Sequence, residues 1–274
     1  MTDILLRRIA DALDRLAPIP PSPADPGTGA AFVWDDGLLR AVAPPPAQPL
    51  ARFVGVDVQR AALLANAERH VAGLPAHDVL LWGARGMGKS SLVRAVHHAV
   101  PGLGLIQVTR DDLGSLPALF RRLATVDRRF FVYADDVSFE ADERQYKALR
   151  SILDGGIEAR PDNVRVLVTS NRRHLVSREH AESEAANAVN PRDLLDDRLA
   201  LADRFGLSLG FHNCDQPTYL AIVHAYADAY GLAAEDHDAV AWATGRGHRS
   251  GRVAWQYIQD LAGRQGKRLS ALAD

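Results

Sequence analysis

From Phe53 onward, short apolar runs alternate with stretches in which apolar residues recur every three or four positions. Val79-Leu80-Leu81-Trp82, Leu105-Ile106-Gln107-Val108, Phe130-Phe131-Val132-Tyr133-Ala134, Val164 to Thr169 and Leu207 to Phe211 are the apolar runs, and the one at 130–134 is continuous. They predict strands, and the run at 130–134 has the texture of one buried on both faces. The periodic stretches predict helices. Leu63, Leu64, Ala67 and Val71 share one face, as do Leu92, Val96 and Ala99. A third helix is read from Leu113 to Leu123, ending in Arg121 and Arg122, and Tyr146, Leu149, Ile152 and Leu153 mark a fourth. Strands alternating with helices at this rhythm imply an α/β fold, a parallel sheet between layers of helices. After Asp215-Gln216-Pro217, a cap followed by a first-turn proline, the pattern is helical throughout: Leu220, Val223 and Ala227, then Val240 and Ala243, then Val253, Tyr257 and Leu261. That predicts a small all-helical domain at the C-terminal end.

The first fifty residues read differently. Ile4, Leu5, Ile9, Leu13 and Leu16 recur at helical spacing and predict a short amphipathic helix over residues 3–16, stopped by Pro18, Pro20 and Pro21. Further prolines at 23, 26, 44, 45, 46 and 49 make residues 18–50 an extended linker, interrupted by the apolar patch Ala31-Phe32-Val33-Trp34, which is expected to dock on the chain's own core. Residues 177–190 are polar without a period and read as a flexible loop. Asn190-Pro191 then opens a helix through Leu195, Leu199 and Ala202. The expected division is therefore 1–17 helix, 18–50 linker, 51–213 α/β domain and 214–274 helical domain.

Composition narrows the classes. The 274 residues carry a formal charge of −2 with 24% charged residues, so bulk electrostatics gives no pull toward nucleic acid or an anionic membrane. Cys214 is the single cysteine, so no internal disulfide forms and the thiol is expected to be structural. No run of about 18 apolar residues occurs. The expected location is the cytoplasm. The histidines, among them His97-His98 and His174, show no metal-ligand spacing, and no zinc is expected.

The chemistry is concentrated in Gly83-Ala84-Arg85-Gly86-Met87-Gly88-Lys89-Ser90. A glycine, four residues and Gly-Lys-Ser between a strand and a helix form a phosphate-binding loop: glycines let backbone N–H groups close around oxygens, and the helix offers its N-terminus to the anion. Lys89 is expected to reach the β and γ phosphates and Ser90 to take a position on Mg²⁺, with Ser91 following it in the site. The buried strand at 130–134 ends in Asp135-Asp136. Asp135 fits a Mg²⁺-holding carboxylate, and Asp136 would face the γ phosphate and polarise the attacking water. The next strand ends in Thr169-Ser170-Asn171, placing the Asn171 amide to bond phosphate or orient that water.

With these three motifs in order, residues from about 50 to 265 resemble the AAA+ ATPase superfamily, and most closely a bacterial family of predicted ATPases catalogued as domain of unknown function 815. The likeness to that family rests on the string from Asn163 to Leu175, on Leu201-Ala202-Asp203-Arg204-Phe205-Gly206-Leu207 and on Gly247-His248-Arg249-Ser250-Gly251-Arg252. The resemblance implies a P-loop core with a Walker A loop at 83–90, a Walker B strand ending in Asp135, a sensor-1 residue at Asn171 and a helical lid from about Asp215. It also implies an arginine finger at Arg204 that enters a neighbouring copy's site, a lid sensor at Arg252 with Arg249 as its rival, and an adenine wall at Phe53-Val54-Gly55-Val56. One departure is Asp136, where the superfamily more often has glutamate; the shorter side chain is consistent with slow hydrolysis, and Glu140 is not assumed to replace it.

The expectation is thus an ATPase that uses ATP and Mg²⁺, assembles as a homo-oligomer and drives change in a partner the sequence does not identify. Two alternatives stay open: a nucleotide-gated adaptor or loader with little turnover, and a nucleic-acid remodelling ATPase. The basic residues Arg121, Arg122, Arg128, Arg129, Arg172, Arg173 and His174 are scattered, and nucleic acid is not favoured. No membrane association is expected.

Overall fold

The computed structural model describes residue 8 and residues 23–137, 143–155, 160–171 and 201–269. Among these, β1 (Ala31–Asp35) and β2 (Leu38–Val42) precede α1 (Asp57–Val71), β3 (Val79–Gly83), α2 (Lys89–Ala99) and β4 (Gly104–Val108). Next come α3 (Leu116–Leu123), β5 (Phe130–Ala134), α4 (Glu143–Asp154), β6 (Val164–Ser170) and β7 (Leu207–Phe211). Then α5 (Gln216–Tyr230), α6 (Asp236–Gly245) and α7 (Gly251–Arg264) follow. The strands make one seven-stranded sheet ordered β2-β1-β4-β5-β6-β3-β7. Within it the β1–β2 pair is antiparallel and every other pair runs parallel.

The apolar runs are explained by two cores, one on each face. Because successive strand residues point to opposite sides, Leu81, Leu105, Phe131, Tyr133 and Leu167 enter one core with α1 and α2. Leu80, Ile106, Phe130, Val132 and Val166 enter the other with α3 and α4. Asp78, just ahead of β3, ties the sheet together at the end where β3 begins. Its Oδ1 accepts from Val166 N at 2.8 Å, its carbonyl accepts from Leu207 N at 3.2 Å, and its carboxylate pairs with Arg160.

The C-terminal helices form as expected. Asp215 caps α5 by accepting from Thr218 N at 2.8 Å, and Ser250 caps α7 by accepting from Val253 N at 3.2 Å. Their buried residues, including Tyr219, Val223, Ala243, Tyr257 and Leu261, belong to the same continuous core as Phe53, Met87, Leu92 and Phe211. Helix positions differ slightly from the pattern. The stretch 113–123 divides into a 3-10 turn at Leu113–Ser115 and α3, and Ala99 is exposed while Val93 and Ala95 are buried.

The larger difference concerns residues 18–50. Their middle is a β-hairpin whose first strand extends the sheet beside β4. Asp36 (φ 49°) and Gly37 (φ 72°) make the two-residue turn, an Asp-Gly pair of the kind that favours tight hairpins. Phe32 and Trp34 are 1% and 2% exposed, and Trp34 Nε1 donates to Ser115 Oγ at 2.8 Å, so the docking of this patch on the core holds while its place in a linker does not. Five-residue strands flanked by prolines left composition to outweigh pattern. The expected helix over 3–16, except for helical Arg8, lies outside the described residues. So do Glu140, the Arg172-Arg173-His174 cluster, the loop at 177–190 and the helix from 190 to 199.

His70 gives the fold a measurable pH signature. It is 1% exposed, stacks on Phe131 at 5.7 Å between ring centroids, and its Nε2 lies 3.2 Å from the Phe130 carbonyl. Burial first, then the nearby Arg165 cation, lowers its pKa to about 4. The folded protein therefore holds a neutral ring while the unfolded chain takes up a proton below the ordinary value of 6.5, so stability is lost as pH falls from about 6.5 to 4. We expect the stability advantage of the parent over His70→Phe, measured by urea unfolding, to shrink by about 3 kcal/mol between pH 7 and pH 4. A gap that stays constant would show that the folded ring takes up its proton as readily as the unfolded one.

Candidate functional site

Three neighbouring strands, β5, β6 and β3, deliver their ends to one place. After β3 the chain turns through Gly83 (φ 117°), Gly86 (φ 75°) and Gly88 (φ 88°). A Cβ at Gly83 would stand 2.1 Å from the Phe211 carbonyl oxygen, so only glycine permits the approach in which Ala84 N donates to that oxygen at 2.7 Å. A Cβ at Gly86 would meet Ser250 Oγ at 2.9 Å and the Arg252 Cβ at 3.1 Å. Arg252 N donates to the Gly86 carbonyl at 3.0 Å, which fastens the start of α7 to the loop.

Lys89 is 5% exposed and donates to the carbonyls of Gly83 and Ala84, both at 2.8 Å. Burial lowers its pKa to about 8 against the opposing pull of Asp136 and Asp135, and Arg252 and Arg85 lower it further. Ser90 Oγ donates to Asp135 Oδ1 at 2.7 Å, and Thr169 Oγ1 donates to the same oxygen at 2.6 Å. Burial alone would raise the Asp135 pKa, but the hydrogen bonds from Thr169 and Ser90 and the charge of Arg94 outweigh it and hold the carboxyl below its ordinary value. Asp136 sits at φ 53°, a left-handed conformation rare for a residue with a side chain. Its N donates to Thr169 Oγ1 at 2.8 Å. Its carboxylate accepts from the Asn171 amide and pairs with Arg110 at 2.7 Å.

These groups line a cavity of about 870 Å³. The wall includes Gly86 to Ser91, Asp135, Asp136, Asn171 and Arg252. The wall also carries Phe53, beside Gly88, with Val54 and Ile222, and the aromatic cluster Tyr226, Tyr230 and Trp255. Gly83, Ala84, Arg85 and Gly55 are not on the wall: Gly83 and Ala84 are buried and supply the carbonyls that hold Lys89, and Arg85 is exposed. Gly55 is exposed too, and a Cβ there would stand 2.4 Å from the Thr218 side chain, so α5 packs directly on that backbone. Arg249 points its guanidinium to Gln216 at 3.3 Å, which leaves Arg252 as the lid arginine on the cavity.

Arg204 is not brought to this site. It stands three residues before β7 and pairs with Asp154 at the end of α4, whereas the far end of β7, Phe211, touches Gly83. About 13 Å of strand separates the two ends. Pattern reading also missed Thr169, Arg110 and Gln48. Thr169 is a polar residue at the end of an apolar strand, and Arg110 follows β4 at the same edge of the sheet, where parallel sheets place their ligands. Cys214 is 8% exposed, and burial first, then Asp215, pushes its thiol up to about 11, as a structural thiol requires.

The residues present fit a polyphosphate with a divalent cation. Side-chain-free turns leave backbone room for oxygens, a buried ammonium stands behind them, and a hydroxyl and a carboxylate of lowered pKa sit 2.7 Å apart at the edge. No helix among the described residues is long and apolar enough to cross a membrane.

Comparison with known proteins shows the family and the fold. The family described as "Protein of unknown function (DUF815)" matches residues 28–265. No curated protein matches the chain. Among solved structures, the Thermotoga maritima RuvB Holliday junction branch migration motor is 17% identical with a TM-score of 0.50, over 83% of this chain and 69% of that one. A point variant of the same protein is also 17% identical, with a TM-score of 0.51 over the same shares, 83% and 69%. The Aeropyrum pernix Orc1 protein, solved in complex with DNA, is 15% identical with a TM-score of 0.53, over 84% of this chain and 64% of that one. At such identities the likeness is one of fold.

The lowered pKa of Lys89 makes binding proton-linked. A bound anion favours the charged ammonium, so a nucleoside triphosphate should draw in a large fraction of a proton at pH 8.5 and almost none at pH 7. Calorimetry in buffers of different ionisation enthalpy reads this directly, with Lys89→Arg abolishing the uptake. Equal proton counts at the two pH values would overturn the assignment.

Proposed function

The chain belongs to the DUF815 family and has the AAA+ fold, and on that footing we propose that it binds Mg-ATP and hydrolyses it at contacts between copies of itself. The observation that carries this reading is the convergence of Lys89, the Ser90–Asp135 pair, Asp136 with Asn171, and Arg252 on the wall of one cavity that also carries an aromatic cluster. In it, Lys89 and loop N–H groups hold phosphates, and Ser90 and Asp135 hold Mg²⁺. The cation, when bound, neutralises charge on the β and γ phosphates. Asp136 takes a proton from water, Asn171 steadies that water, and Arg252 carries the nucleotide's state to the helical lid. Arg204, remote from its own loop, suits a finger for a neighbour's site. A homo-oligomer is part of the proposal, and so is a cytoplasmic location.

A second reading has its own support. The Asp136 carboxylate is already engaged by Arg110 and Asn171 and is one methylene shorter than glutamate. It must leave Arg110 before it can accept a proton. That restraint favours slow basal turnover, and with it a nucleotide-gated switch that acts on a partner. Of the neighbours in fold, RuvB is described as a branch migration motor and Orc1 was solved in complex with DNA. Remodelling of nucleic acid is therefore the third candidate, tested by salt-sensitive DNA binding.

We expect Mg²⁺-dependent ATP turnover to rise faster than linearly with protein concentration as shared sites form. Arg204→Ala should lower it by about 10³ while leaving ATP affinity nearly intact. Loss of the exposed Asp154 pair alone has little effect on stability. Lys89→Ala should lose binding, and Asp136→Ala should bind without turnover. An Arg204→Ala protein that hydrolyses at the parent's rate would sink the finger, and tight binding without turnover at any concentration would favour the switch.

A further inference from the structure

Beside the aromatic cluster, the cavity wall holds a polar group that the proposed chemistry does not use. Gln48 lies on the wall between β2 and the 3-10 turn at Leu50–Arg52, in the run Pro44-Pro45-Pro46-Ala47-Gln48-Pro49. Proline fixes its own backbone and confines the residue before it, so Gln48, ahead of Pro49, stands on a stiff strap. The strap is fastened where it meets the turn: Arg52 N donates to the Pro49 carbonyl at 3.0 Å, and Arg60 Nη1 donates to the carbonyls of Leu50 and Phe53 at 3.2 and 3.1 Å. From the opposite side, Tyr226 of α5 donates its hydroxyl to Gln48 Oε1 at 2.9 Å. The Tyr226 ring in turn packs on Trp255 of α7 at 5.2 Å between centroids. The side-chain amide is therefore oriented by the lid, and that bond leaves its Nε2 donors and one lone pair of Oε1 for a ligand.

We infer that Gln48 is the residue that reads the nucleobase and selects adenine over guanine, an inference that rests on the nucleotide site proposed above. An amide offers a donor beside an acceptor, which matches the adjacent donor and acceptor on an adenine edge in a bidentate pair. On guanine an amide meets two acceptors at the O6/N7 edge, and at the edge that carries the N1 and N2 donors it leaves the 2-amino group unpaired. Arg52 also lines the cavity, but its Nη1 is sealed from solvent. The strap also explains why a short proline run precedes the base wall: it brings a reader from outside the sheet to the lid's aromatic face, and the Tyr226 bond makes its orientation depend on lid position.

The test is competitive calorimetry of Mg-ATP and Mg-GTP on the full chain, with inorganic tripolyphosphate binding as the check that each variant keeps its phosphate cradle. The parent should prefer ATP by about tenfold or more, the size of one bidentate pair. Gln48→Ala should bring the ratio toward one by weakening ATP. Gln48→Glu, an acceptor that suits the two guanine donors, should move it further toward GTP. Tyr226→Phe, which keeps the ring and loses the orienting hydroxyl, should fall between parent and Gln48→Ala. A parent that binds both equally or prefers GTP, or a Gln48→Ala ratio equal to the parent's, would overturn the inference while leaving nucleotide binding intact. Binding of tripolyphosphate without either nucleotide would overturn base reading altogether, and binding of none of the three would remove the nucleotide site itself.

Discussion

Asp135 Oδ1 is the point on which the site depends. It accepts from Ser90, which follows β3, and from Thr169, which ends β6, while Asp135 itself follows β5. One carboxylate oxygen thus ties the ends of β5 and β6 to the first turn of α2, beside the loop that follows β3. Hydrogen bonds to a charged acceptor contribute about 2 kcal/mol each, enough to keep the carboxyl ionised against burial. Thr169 extends the arrangement by accepting from Asp136 N, which holds Asp136 in its left-handed turn and aims the second carboxylate away from the first.

The loop beside them is shaped by what is missing from its side chains. Gly83 lets β3 and β7 close to a distance no Cβ would survive, and Gly86 lets the first turn of α7 lie on the loop. The same contacts therefore build the anion cradle and dock the lid. Lys89 fits the same plan: with its ammonium tied to two carbonyls of its own loop, it is buried and yet satisfied, and its lowered pKa follows from that burial.

Much of this was legible in the chain. The runs at 130–134 and 207–211 became strands with the same bounds: at 130–134 burial on both faces leaves no polar position to confuse the period, while β7, at the sheet's edge, buries Leu209 and Phe211 in alternation. The phosphate loop and the acids after the buried strand were legible because their chemistry needs fixed residue types at fixed spacing. The hairpin at 31–42 was not, since its strands are five residues long and the prolines around them dominate the composition; the Asp36-Gly37 pair was the signal available. Arg110 and Gln48 were also illegible. Each joins its partner across a long stretch of sequence, Arg110 to Asp136 and Gln48 to Tyr226, and no periodicity records such meetings. Arg204 was legible only through resemblance, and the structure's contribution is to place it away from its own loop.

The helical lid has no core of its own. Its buried residues run without a break into those of α1, α2 and one face of the sheet. A domain joined by a hinge turns at little cost, because its apolar surface stays covered throughout the motion; here any opening uncovers surface that also stabilises the sheet. Rotation of the lid is therefore limited to sliding of packed helices, and a partner pulling on α5 or α7 works against the cohesion of the whole protein. Melting of the lid and melting of the sheet become a single cooperative event.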